Sequence, residues 1–80
     1  MTPPPIPLTF EEHRELGREL RAAAIRVLEL RNLVVSVYGP NNQASVRFSA
    51  IAEDLERLCS DMQAQAEHDC PGFPVHGFYK

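Results

Sequence analysis

The side chains with the most chemistry in this 80-residue chain are His13, His68, Asp69, Cys70 and His76, with Glu12 beside the first of them. Histidine, thiolate and carboxylate are all zinc ligands, so a fold that gathers these residues would offer a metal site. Their spacing argues otherwise. His68 and Cys70 stand two apart, and residues two apart do not share a helix face. Neither Cys-x-x-Cys nor His-x-x-x-His occurs. The plainer reading is a hydrogen bond between His13 and Asp69, with the other residues as solvated polar groups. The expectation is therefore no cofactor, with His13, His68, Asp69, Cys70 and His76 as the residues to watch for metal.

Other chemistry finds less support. The chain has no Gly-rich phosphate loop, no Gly-x-Ser-x-Gly and no paired carboxylates inside an apolar seam. Arg26 and Arg31 are five apart and do not share a face, so they read as partners for Glu29 or a second chain, not as an anion pocket. No catalytic residue is assigned, and an enzyme is not expected. The formal charge is −3 with both signs interspersed, which gives no basic stripe for nucleic acid. No apolar run approaches the roughly 20 residues needed to span a bilayer. Met1-Thr2-Pro3-Pro4-Pro5 lacks the charged and apolar regions of a secretory signal, so a cytoplasmic protein is expected. Two cysteines are too few for a disulfide framework. At eleven residues apart on a helix they would be roughly 16 Å from each other, beyond the reach of a bridge. Cys59 lies on a stripe of small residues and reads as buried; Cys70, next to Pro71, reads as exposed and able to link chains under oxidation.

Two helices must position these groups. In the first, Leu16, Leu20, Ala23, Val27, Leu30, Val34 and Val37 recur at alternating steps of four and three, the pattern of a helix lying along a near-parallel partner. Thr9-Phe10-Glu11-Glu12 has the form of a capping box, and Gly39-Pro40 ends the helix, so it is expected over 9–38. Gly17 in its interior points to close approach of another backbone. The second helix, expected over 42–70, begins at Asn42 or Ser45. It carries Ala44, Phe48, Ile51, Leu55, Leu58 and Met62, flanked by the small residues Ala52, Cys59 and Ala66. Folded about Asn41, the seams pair as an antiparallel hairpin that sets His13 opposite Asp69. Residues 1–8 form a Pro-rich leader in which Pro4-x-x-Pro7 suits an aromatic groove, although no basic residue flanks it.

The expected fold is thus all-α, a two-helix hairpin in a single domain over 1–80 with an extended aromatic tail at 71–80. One neighbour does not satisfy the first helix. Ile25, Leu28, Leu33 and Val35 form a second apolar stripe, and a helix apolar on two sides is buried on two sides. A homodimer that closes into a four-helix bundle would cover it. Phe73, Phe78 and Tyr79 make the tail rich enough in aromatic groups to dock, on its own hairpin or on a protein partner. The interface residues are therefore expected to be Ile25, Leu28, Leu33, Val35, Phe73, Phe78 and Tyr79. The function expected is protein–protein contact, as adaptor, scaffold or regulatory subunit. The alternative is a metal- or small-ligand-binding bundle that uses the polar cluster at the open end.

Overall fold

A computed structural model describes residues 6–79. The Pro3-Pro4-Pro5 part of the leader, and with it the Pro4-x-x-Pro7 groove ligand, lies outside the described residues, as does Lys80. Two helices, α1 (Phe10–Tyr38) and α2 (Gln43–Asp69), pack antiparallel as a hairpin.

The helix ends are set by local chemistry. The Thr9 hydroxyl accepts from the Glu12 N–H at 3.2 Å, and the Glu12 carboxylate accepts from the Thr9 N–H at 2.9 Å. These bonds satisfy two donors that an uncapped helix start leaves orphaned, and they hold the Glu12 carboxyl below its ordinary pKa. At the other end of α1, Gly39 takes φ 85°, which a side chain would resist, and its N–H donates to the Val35 carbonyl at 2.8 Å. Asn42 is the cap of α2: its Oδ1 accepts from the Ala44 N–H at 2.9 Å. The other cap candidate, Ser45, has a different task. It is fully buried and its hydroxyl donates to the Gly39 carbonyl at 2.7 Å, tying the start of α2 to the end of α1.

The rotation of the helices departs from the sequence expectation. On α2 the buried line is the small stripe, Ser45, Ala52, Cys59 and Ala66, repeating every seven residues. The large seam residues Phe48, Leu55 and Met62 flank it half-buried, while Ile51 and Leu58 lie further out and are exposed. On α1 the fully buried positions are His13 and Gly17, and seam residues Ala23 and Val37 are exposed. Small residues let two helix axes approach closely, and bulky side chains then pack at the margins of the contact instead of inside it.

Residues 71–79 turn back along the hairpin and complete its core. Val75 and Tyr79 join Cys59, Ala66 and Cys70 in the buried cluster, against which Phe10, Leu16, Leu20, Met62 and Phe78 pack. Phe10 touches two tail rings, with centroids 5.4 Å from Phe73 and 5.3 Å from Phe78. Gly17 is the point of closest approach: a Cβ there would collide with the Phe78 carbonyl oxygen. The sequence marks this glycine as a backbone contact, and the tail is that contact.

The core is confined to the open end of the hairpin. Toward the turn, the fold is a single layer of two helices, and the whole molecule is 15 Å across in its thinnest direction. Its radius of gyration is 15.9 Å, against about 12 Å for a compact chain of this length.

Candidate functional site

The open end brings three polar side chains into one buried chain. His13 sits in the second turn of α1 and is 0% exposed. Its Nε2 lies 2.9 Å from Asp69 Oδ2 at the end of α2, and its Nδ1 lies 2.8 Å from the Tyr79 hydroxyl in the tail. An ionised carboxylate only accepts hydrogen bonds, so Asp69 fixes the proton on Nε2. With the ring neutral, Nδ1 accepts from the Tyr79 O–H; with the ring protonated, Nδ1 donates to the Tyr79 oxygen. The Asp69 side chain is itself nearly covered, at 6% exposed. The His13 hydrogen bond leads the effects that hold its carboxyl below the ordinary value of 3.8, and the Gln65 amide, 2.8 Å from Oδ1, assists. Burial pushes the Tyr79 phenol above its ordinary value, helped by the negative charge of Asp69.

Gln63 secures the same tail from α2. Its Nε2 donates to the Val75 carbonyl at 3.0 Å, and its Oε1 accepts from the Tyr79 N–H at 3.1 Å. Both halves of one buried amide are used on the tail backbone, which satisfies groups that would otherwise be buried unpaired.

The order carboxylate, imidazole, hydroxyl is that of an activated nucleophile. Here the hydroxyl is a phenol 1% exposed, and no reactant reaches it without opening the core. What the arrangement does is join three elements, α1, α2 and the tail, through one imidazole.

Of the metal candidates that the sequence suggests, then, the fold unites His13 with Asp69 and leaves the others apart. His68 and His76 are exposed. Cys70 was expected to be exposed and is instead 7% exposed, as the C-cap of α2, with its N–H donating to the Ala66 carbonyl at 3.0 Å. The returning tail covers it. Cys59 is buried as expected, and both thiols are free. Among the described residues no three His, Cys, Asp or Glu side chains gather as a metal site.

The expected interface residues divide in the same way. Ile25, Leu28, Leu33 and Phe73 are exposed, while Val35 and Phe78 are half-buried. Tyr79 was expected on a docking surface and belongs to the core, because it packs in the buried cluster with Cys59, Ala66, Cys70 and Val75 and its hydroxyl pairs with His13. Sequence reasoning missed both Gln63 and the Tyr79 partner of His13. A signal was present for the second: a buried imidazole needs two partners, and Asp69 supplies only one.

A groove of about 870 Å³ runs along the tail face past Tyr79, lined by Arg21, Ala24, Ile25, Glu56, Cys59 and Ser60 among others. Arg21 and Arg57 there are offset by Glu56 and Asp61, so it presents no single charge to a ligand. Among the described residues no helix is long and apolar enough to cross a membrane. Comparison with protein families, with curated proteins and with solved structures finds no match for this chain.

Proposed function

We propose that this protein is a small self-associating helical hairpin that acts through protein–protein contact, as an adaptor, scaffold or regulatory subunit, and is not an enzyme. One observation carries the reading. The linked His13, Asp69 and Tyr79 are covered in the core, while large apolar side chains on both helices face water over the half of the hairpin nearest the turn. Isolated apolar residues are normal on a surface, but a contiguous patch of them marks an interaction site. The assembly that follows from it is a homodimer closing into a four-helix bundle. The working surface is not the tail, whose packing belongs to the core, but the helical face near the turn.

The reading is tested by unfolding at different protein concentrations. A chain folded in part by association gains stability as concentration rises. The thermal midpoint is expected to climb by several degrees between about 1 and 100 µM, with concentrations and shift on the order set by mass action. An unfolding midpoint independent of concentration overturns it.

A further inference from the structure

We infer that residues 71–79 form an acid-releasable strap, in which Asp69 is the counter-charge that keeps the strap closed while His13 gains or loses a proton. This holds whether or not the chain associates. The device is a titratable ring shut away from water. His13 is 0% exposed, and the Tyr79 hydroxyl of the tail sits 2.8 Å from its Nδ1. A neutral ring accepts there from the phenol and a protonated ring donates to it, so this bond survives either state. The charge is a separate matter. A buried imidazolium needs an anion beside it. Asp69 Oδ2 is that anion, 2.9 Å from Nε2 on a side chain 6% exposed.

The other groups around the ring do not replace that anion. On α1, the Glu12 carboxylate is engaged at the helix cap and lies in solvent. On α2, His68 near Asp69 adds charge of the wrong sign when protonated, and the Cys59 and Cys70 thiols are uncharged in acid. The tail brings the Tyr79 phenol, and its own imidazole, His76, is exposed. Once the Asp69 carboxylate is protonated or replaced, the imidazolium must reach water. The tail is the element that opens. It has no helix or strand of its own, and its polar ties to the hairpin side chains are the Tyr79–His13 bond and the two bonds of Gln63. The helices are secured without it: the Thr9–Glu12 box, the Asn42 cap and the Ser45–Gly39 bond involve no tail residue. Cys59 and Cys70 share the buried cluster with Val75 and Tyr79, so release of the tail is readable as thiol reactivity.

Thiol labelling of the full chain against pH tests this, at one protein concentration, with a dipyridyl disulfide that reacts in acid. Rates are taken relative to the urea-unfolded chain, and helix content is followed by far-ultraviolet circular dichroism. In wild type the relative rate is expected to stay flat from about pH 7 to about pH 4. Below the ordinary carboxyl value of 3.8 it should rise by about tenfold per pH unit, one proton's worth, while the helices persist. In Asp69→Asn the neutral ring keeps its bonds at high pH, but the rise should begin near the ordinary imidazole value of about 6.5 and reach about 100-fold by about pH 4.5. Adding His13→Gln to Asp69→Asn removes the ring and should flatten the profile again. An Asp69→Asn profile as flat as wild type overturns the assignment. So does a slope that survives the loss of His13, or a helix signal that falls in step with labelling. The wild-type profile needs no substitution, so it decides even if a variant misfolds: no rise below pH 3.8 also overturns the assignment.

Discussion

Replacing Gly17 by alanine gives a test in which the sign of the effect is informative. In the interior of an exposed helix this change stabilises by about 1 kcal/mol, because alanine loses less backbone entropy on folding. Here the new Cβ meets the Phe78 carbonyl, a backbone atom that cannot swing aside. The tail must shift, and three hydrogen bonds depend on its position: the two from Gln63 and the one between Tyr79 and His13. At about 1 kcal/mol net for each, with Tyr79 also partly re-exposed, the loss is about 3 kcal/mol, and the helix gain offsets part of it. Gly17→Ala should therefore destabilise by about 1–2 kcal/mol, read from urea unfolding followed by far-ultraviolet circular dichroism at one fixed protein concentration. In a Tyr79→Ala background, where the tail is already loosened, the same substitution should lose most of its cost or become stabilising. Stabilisation by about 1 kcal/mol in the otherwise wild-type chain would mean that nothing lies over Gly17, and the packing of the tail would have to be abandoned.

Three further outcomes follow from the same core. Asp69 has its carboxyl pKa lowered in the fold, so its contribution is present above the unfolded value near 3.8 and is lost as pH falls through the folded value. Urea midpoints should drop between about pH 5 and pH 3 in wild type, and less steeply in Asp69→Asn. Tyr79 has its pKa raised from 10.0, so its contribution is complete below pH 10 and is lost as pH rises above it. Tyr79→Phe should lack that alkaline loss, although it forgoes the hydrogen bond to His13 at neutral pH. Cys59 and Cys70 are both buried, so neither thiol should react with a disulfide reagent in the native protein within minutes, and both should react once urea unfolds it. Fast labelling of Cys70 alone would show the tail detached.

Much of the fold was legible in the sequence because its signals are local. The Thr9–Glu12 box, the Gly39 stop and the length of the turn follow from residues within a few positions of each other, and helix bounds fall within one residue of expectation. The pairing of His13 with Asp69 was also legible, since folding about a known turn fixes which levels meet. The rotation of the helices was not. On α2 the seven-residue repeat gives two adjoining stripes, one large and one small, and periodicity alone does not say which points inward. Close approach decides it, through Ser45 against the Gly39 carbonyl and through Ala66 at the centre of the core. The tail was the other gap. Residues 71–79 have no period, so their aromatic content showed that they would dock but not where. Their path depends on Gly17, far away in the chain, and on the unspent capacity of His13 and Gln63. That is why Cys70 and Tyr79, expected at the surface, lie in the core.

Self-association is the claim on which the functional account stands, and equilibrium sedimentation of the wild-type chain addresses it most directly. Across a range from about 1 to 100 µM, set by the affinities of ordinary dimers, the account predicts a mass that rises to twice the 9.0 kDa of one chain. A folded species that holds at 9.0 kDa throughout that range would contradict it.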